Sequence, residues 1–545
     1  MKITYLGHAG FCVETASSII VMDPWLSSEG AFDSAWYQYP KNHHMADYVR
    51  DLFDASPKNK YIYISHEHKD HFDLEFLNTL WNRDFTLFLA NFRRPVVKET
   101  LDRNNFKCKE IIGFNDSDTF RLGDVTLTFF IIDEEIDCDS AILLKTDTKS
   151  FLNLNDCKLD EMLPSILENY GKIDVFATQF SGAIWFPICY DIYSKEQYER
   201  ISASKALNKF RATADAISVV KPAVYLPSAG PPCFLDPLLI EKNFEKINIF
   251  PRAPQLIEYL ESNCEYRGTK WPEIMPGDIL DTETLKFVKL AEDRVKDDEF
   301  EKYVRSYANE FKEHFHKREI ENKKVNPQQV FLDLKEALEY KVDQLRVVNE
   351  DVDTLLYWCL SDYSDRIYKI NFKEKTVTAV EKIENVDNFI RIATPAWQVK
   401  KVLTKEIDWA DFALTFRVKL ARNPDTYQHL IHGYITIDAE GLGHFCDLLK
   451  KHHEKTQRIV IEFEGKKYSV LRYCPHQGGD LKNGWIEHGC LVCPRHRWKF
   501  DIIKNGKCIY NNETIDSICV NENSIIDSVY VNEKNALRNN SEKEL

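Results

Sequence analysis

The stretch Ser65-His66-Glu67-His68-Lys69-Asp70-His71 places three imidazoles and two carboxylates within six residues, in a chain with only 16 histidines among 545 residues. Neutral imidazole and carboxylate are ligands for zinc or iron, and the alternating His66 and His68 can reach one metal from a short turn. The preceding Tyr61-Ile62-Tyr63-Ile64 is apolar, β-branched and aromatic, which predicts a buried strand. The cluster therefore falls where a strand gives way to a loop, the place where ligands gather in layered α/β folds. A polar loop that is histidine-rich by chance is the competing explanation, and the density of H-x-H-x-D-H argues against it.

A second constellation lies near the other end. Cys474-Pro475-His476 is followed after sixteen residues by Cys493-Pro494-Arg495-His496. It comes after an expected β-hairpin, residues 459–463 and 468–473 around a Gly465-Lys466-Lys467 turn. Gly478-Gly479 lets the first loop turn tightly. The spacing C-x-H…C-x-x-H resembles the Rieske pattern. That resemblance implies that Cys474 and Cys493 hold one iron of a [2Fe–2S] cluster while His476 and His496 hold the other. A structural zinc using Cys490 with Cys493 is the competing reading, disfavoured by a histidine two residues after the first cysteine. Histidine ligation raises the potential of such a cluster, so this segment is expected to relay single electrons. Hydrolysis needs none, and redox chemistry is expected at the other metal.

Several strands must position these residues. Ile3 to Leu6, Phe11 to Glu14 and Ile19 to Met22 read as short strands, with His8 in the first turn and Asp23-Pro24 at the last end. His8 fits a packed turn histidine more readily than a functional one. Asp23 fits a partner behind a metal histidine and a turn-initiating Asp-Pro equally well. Residues 85–90 form a strand followed by Arg93-Arg94-Pro95, a pair that can hold a phosphate or carboxylate or simply be solvated. Strands at 124–132 and 141–144 flank the acidic run Asp133-Glu134-Glu135-Ile136-Asp137-Cys138-Asp139. Residues 151–154 form a strand ending at Asn155-Asp156, where Asp156 stands alone as a candidate ligand. Farther on, 283–324 reads as one or two amphipathic helices around Phe287, Leu290, Val295, Phe300 and Tyr303. A helix is expected at 328–345 and a hairpin at 368–380.

The bulk numbers are those of a globular protein, with 44% hydrophobic and 29% charged residues. A net charge of −15 argues against a general nucleic-acid binder. No run reaches the ~18 apolar residues of a membrane span, and the first residues lack a signal-peptide pattern. Fourteen scattered cysteines then suggest a reducing cytoplasm with free or metal-bound thiols.

H-x-H-x-D-H after an apolar strand, with a later strand ending in Asp, resembles the metallo-β-lactamase fold, a four-layered αβ/βα sandwich with metals at one edge of its sheets. By resemblance His66 and His68 serve one metal position, Asp70 and His71 a second, and Asp156 bridges them or belongs to one. That makes Asp70 and Asp156 the catalytic candidates. The family usually adds a histidine ahead of the strand leading to that Asp, where Glu135 or a neighbour is the best match here. It often carries a last histidine in a late loop, and Tyr225-Leu226-Pro227-Ser228-Ala229-Gly230 has none. The remaining set of histidines and carboxylates is more iron-like.

A narrower resemblance rests on DVFATQFSGAIWFP at 174–187, PAVYLPSAGPP at 222–232, Arg93-Arg94-Pro95 and Asn423-Pro424-Asp425-Thr426-Tyr427-Gln428-His429. These look like segments of CMP-N-acetylneuraminate hydroxylases, which combine the same two modules with the Rieske domain first, whereas here it comes last. The expected architecture is α/β: a metal-binding catalytic sandwich over 1–280, a middle α+β region over 281–455, an all-β Rieske domain over 456–532 and a tail over 533–545. The resemblance implies an iron-dependent monooxygenase that uses O₂ and a mono- or dinuclear iron. Its substrate would be a nucleotide sugar with Arg93 or Arg94 near the anionic groups, or an amine. Electrons would come from a ferredoxin, a cytochrome b5-like carrier or an NAD(P)H reductase, and a homo-oligomer stays open. The alternatives are a metal-dependent hydrolase or phosphodiesterase with a regulatory Fe–S module, and a redox sensor.

Overall fold

The first strands are apolar without interruption, their side chains point alternately to two faces, and each face finds its own partner. In Ser18–Met22, Ile20 and Met22 enter one core while Ile19 and Val21 enter another. Thr86–Ala90 divides Phe88 and Ala90 from Leu87 and Leu89 in the same way. A sheet buried on both faces needs cover on both, and the computed structural model shows how it is supplied. It describes residues 1–133, 138–182, 184–346, 353–384, 386–453, 456–520 and 530–531.

One sheet has eight strands, in the order Lys286–Lys289, Ile279–Asp281, Lys2–Gly7, Gly10–Glu14, Ser18–Met22, Asn59–Ile64, Thr86–Ala90 and Glu110–Phe114. The last four run parallel. A second sheet has six strands, in the order Val224–Ser228, Val175–Gln179, Ser150–Asn153, Cys138–Lys145, Val125–Asp133 and Thr119–Leu122. Their facing sides share a core of Phe11, Tyr63, Phe88, Phe114, Phe129, Ile142, Phe151 and Leu226. Phe114 and Phe129 stack at 3.9 Å between ring centroids.

The outer face of the first sheet packs on helices His44–Ala55, Leu74–Thr79 and Val96–Arg103 through Val49, Phe53, Phe76, Leu77 and Leu101. The outer face of the second packs on Leu163–Tyr170, Lys195–Val220 and Ala253–Asn263 through Ile166, Phe210, Ile217, Leu256 and Leu260. The result is the four-layered metallo-β-lactamase sandwich. Helices Phe300–Glu310 and Lys312–Asn322 belong to the same compact unit, which comprises Met1–Ile188, Ser194–Lys324 and Leu414–Arg417. The helical reading of 283–324 holds only from Phe300 onward. Lys286–Lys289, including Phe287, is instead an edge strand, because pairing with Ile279–Asp281 satisfies its backbone.

The second unit comprises Cys189–Tyr193, Val325–Ala413 and the described part of Val418–Leu545. Its first part is a five-stranded sheet in the order Thr376–Val380, Tyr363–Asn371, Leu355–Leu360, Phe389–Thr394 and Lys419–Asn423. Helix Pro327–Asp343 lies against it, with Phe331 stacked on Tyr368 at 4.0 Å. The last part holds two four-stranded sheets. One contains the hairpin Arg458–Phe463 and Lys466–Leu471, and the other runs Trp485–Glu487, Cys490–Val492, Lys499–Asp501 and Lys507–Cys508. The hairpin turns at Glu464-Gly465, not at 465–467. Both turn residues have positive φ, and Phe463 pairs with Lys466, as a two-residue type I′ turn requires. Among the described residues no helix is long and apolar enough to cross a membrane.

Candidate metal centres

The parallel strands Ser18–Met22 and Asn59–Ile64 pair Met22 with Tyr63, so the residues that follow them emerge side by side. Asp23 adopts φ +40°, a left-handed conformation uncommon outside glycine. There its carboxylate accepts from Ser65 N at 2.8 Å and from Ser65 Oγ at 2.7 Å, and faces His71 Nδ1 at 2.9 Å. The histidine loop is also tied at its far end. Asp73 accepts from Phe76 N at the start of the next helix and from Leu26 N and Ser27 N. The second sheet supports it as well, since Ser140 Oγ donates to Ser65 O at 2.7 Å and meets Tyr63 OH at 2.8 Å.

This framework gathers His8, His66, His68, Asp70, His71 and Asp156. His66, Asp70 and His71 are buried. His66 Nε2 and His68 Nδ1 are 2.8 Å apart. His8 Nε2 lies 3.1 Å from Asp70 Oδ2, and His71 Nε2 lies 3.6 Å from Asp156 Oδ1. The ligand atoms of His8, Asp70 and His71 lie within 4.8 Å of one another, as do those of His66, His71 and Asp156. His8 and Asn155, the residue before Asp156, also have positive φ, so three strained backbone positions border the cluster.

Two observations fit these residues to a metal. His71 Nε2 and Asp156 Oδ1 are buried without hydrogen-bond partners although they face each other, which is costly unless a cation lies between. The outer nitrogens are already engaged: His71 Nδ1 by Asp23, and His66 Nδ1 by Asp139 Oδ1 at 3.3 Å and Ser65 Oγ at 2.9 Å. Such contacts orient metal-binding histidines. The carboxylates around the cluster favour positive charge there, which a metal cation would supply in place of a proton. Burial opposes charge on His66, yet Asp139 raises its pKa to about 10. Asp70, against its own burial, is held well below the usual carboxylate range by His71 and His8. Asp156 is lowered too: burial raises it, and His71 and Lys158 outweigh that. Ionised carboxylates and mixed nitrogen and oxygen donors suit iron, zinc or manganese.

Of the sequence candidates, His66, His68, Asp70, His71 and Asp156 come together. Glu135 lies outside the described residues. Arg93 is committed to Asp133, through its backbone N at 3.0 Å and its Nε at 3.1 Å, and Arg94 is exposed. Asp23 takes the supporting position behind His71. His8 joins the cluster, although sequence reasoning favoured a packed turn. Its signal was Gly7-His8-Ala9-Gly10, a glycine-bounded turn between two strands. Asp139 could not be singled out from its acidic run.

The second centre is built from two loops of one shape. Cys474 N donates to Gly479 O and Gly478 N to Cys474 O, both at 2.9 Å. Cys493 N donates to Trp498 O at 2.8 Å and Arg497 N to Cys493 O at 2.9 Å. Cys474 and Cys493 are buried and not disulfide-bonded. Burial, and then Cys493 beside it, push the Cys474 thiol far up. The rings of His476 and His496 lie 5.0 Å apart, and Trp498 stacks on His476 at 4.2 Å. A Cβ on Gly479 would approach Cys493 Sγ to 2.8 Å, so the close approach of the first loop to this sulfur requires glycine. Cys490 faces Asp501 and Lys499 in its own sheet.

Residues 2–133 match the beta-lactamase superfamily domain, and residues 447–519 match the Rieske [2Fe-2S] domain. The chain thus joins a metallo-β-lactamase-fold domain to a Rieske domain, which supports a [2Fe–2S] cluster. A Rieske 2Fe-2S iron-sulfur protein of Mycolicibacterium smegmatis is 25% identical over 530 residues, spanning 93% of this chain and 98% of that one. The cytidine monophosphate-N-acetylneuraminic acid hydroxylase of Cricetulus griseus is 23% identical over 472 residues, spanning 80% of this chain and 75% of that one. Among solved structures, CmlA, a diiron β-hydroxylase from Streptomyces venezuelae, is 16% identical with a TM-score of 0.34, covering 51% of this chain and 53% of that chain. A Rieske domain and hydroxylase relatives support an oxidoreductase.

Proposed function

We propose that the protein is an iron-dependent monooxygenase that hydroxylates an organic substrate in its metallo-β-lactamase-fold domain, with electrons relayed by its Rieske cluster. One observation carries the reading: a single chain holds both an electron-relay module and a buried histidine–carboxylate site whose facing donor atoms are orphaned. When bound, the iron would supply O₂ activation and the cluster single electrons, so that one oxygen atom enters a C–H bond and the other leaves as water. His8, His66, His68, Asp70, His71 and Asp156 would hold the iron. Cys474, His476, Cys493 and His496 would hold the cluster.

The chain's own residues prepare this chemistry. Asp23, by accepting from His71 Nδ1, leaves the Nε2 lone pair facing the site. Asp139 and Ser65 do the same behind His66. Gln179 Nε2 donates to Asp156 Oδ2 and leaves Oδ1 toward His71. Burial of the cluster keeps bulk water from competing for these positions.

The hydroxylase relative supports a substrate with an N-acyl methyl group on a nucleotide sugar, and an amine undergoing N-oxygenation is the other candidate. The electron donor would be a ferredoxin, a cytochrome b5-like protein or an NAD(P)H reductase. Metal analysis with EPR on anaerobically purified protein tests the reading. About three or four irons per chain are expected, two of them in a cluster with a reduced Rieske signal, together with reductant-dependent O₂ uptake. A metal-dependent hydrolase or phosphodiesterase draws on the superfamily match at 2–133. Bound zinc with no O₂ uptake would establish it and sink the oxygenase.

A further inference from the structure

Beside Asp156 stands a group of cations that the metal site does not use. Gln179 ends its strand, and its Nε2 donates to Asp156 Oδ2. Its Oε1 accepts from Lys158 Nζ at 2.6 Å and also from Lys209 Nζ at 2.5 Å. Two half-buried ammonium groups thus share one neutral oxygen. Neither is paired with a carboxylate among the described residues. Asp156 faces Lys209 from the metal side, but one of its oxygens is taken by the Gln179 amide and the other faces His71. Lys205 adds a third positive charge on the same helix. Like charges held this close repel unless an opposite charge intervenes.

Two further observations point to a ligand. A Cβ on Gly182 would come within 2.9 Å of Lys209 Nζ, so the glycine keeps the approach to the ammonium clear. Ser228, the strand partner of Gln179, and Ser181 both have hydroxyls that are fully buried and without a hydrogen-bond partner.

We propose that Lys158 and Lys209, spaced by Gln179, form an oxyanion subsite bordering the metal centre, which selects substrates carrying a carboxylate or phosphate group. Its role as a substrate subsite rests on the oxygenase reading; the binding of the anion does not. Gln179 couples the two sites, since one amide orients the metal-side carboxylate with its N–H and spaces the cations with its oxygen. This places anion recognition at Lys158 and Lys209 and not at Arg93, which Asp133 already occupies.

Full-length protein, metal-loaded and metal-depleted, is titrated with inorganic phosphate and with acetate at constant ionic strength, by calorimetry and thermal melting. Both forms are expected to gain thermal stability with anion concentration. Affinity should fall at least tenfold in Lys158→Met and Lys209→Met and survive in Lys209→Arg. Gly182→Ala, which keeps every charge, should weaken binding by crowding Lys209. Tighter binding of phosphate identifies a phosphoryl group as the natural anion, and tighter binding of acetate a carboxylate. Binding that vanishes with the metal and ignores both lysines overturns the subsite, as does the absence of anion binding in folded protein. Lysine-dependent binding in a protein that consumes no O₂ leaves the subsite standing and overturns the oxygenase alone.

Discussion

Asp23 shows how a single residue acts through another. Its carboxylate faces His71 Nδ1 at 2.9 Å from a left-handed backbone position. Asp23→Asn is expected to weaken iron binding in the first domain by about 10–100-fold without unfolding it, because the histidine loses the group that sets its tautomer. An iron titration followed alongside circular dichroism checks this. Gly479 has an equally local role at the other centre, where a Cβ would approach Cys493 Sγ to 2.8 Å. Gly479→Ala should yield folded protein lacking the visible absorbance of the cluster. His43, near Tyr307 OH at 3.1 Å and Gln38 Oε1 at 3.3 Å, carries a pH dependence. Burial, and next to it Lys41, lower its pKa from 6.5 to about 4. The unfolded chain therefore binds this proton more readily than the folded one. The stability tied to neutral His43 is present above 6.5 and is lost as pH falls toward about 4. In His43→Gln, the melting temperature should drop less steeply than in wild type over that interval.

At the scale of elements, the strand is the unit that was most legible. Uninterrupted apolar runs at 19–22 and 87–90 announce strands covered on both sides, and the structure divides those residues between two cores as their parity requires. Phe129 lies where the two sheets meet, fully buried and stacked on Phe114. Phe129→Ala should cost about 3–5 kcal/mol in urea denaturation of the first domain. Elements whose apolar spacing is ambiguous were less legible. Phe287 and Leu290 suit a helix face by number alone, but the sheet edge at Ile279–Asp281 recruits Lys286–Lys289 as a strand. Likewise, the hairpin turn moves to Glu464-Gly465 because cross-strand register, not local composition, sets where the chain reverses.

At the scale of the whole molecule, the oxygenase reading requires both centres. Cys474→Ser should remove about two irons per chain, leave the metal of the first domain in place, and reduce reductant-driven O₂ uptake to background. Uptake that persists would show that the cluster does not serve the chemistry. The amino-acid sequence by itself determined both runs of candidate ligands. His66, His68, Asp70 and His71, and likewise Cys474 with His476 and Cys493 with His496, are close along the chain, so short loops bring them together under local constraints. Only the tertiary structure decided the rest of each neighbourhood. His8, Asp23, Asp139, Asp156, Gln179 and Lys209 come from distant strands, loops and a helix. Their meeting depends on parallel register and sheet packing, which set distances between residues that no spacing in the sequence encodes.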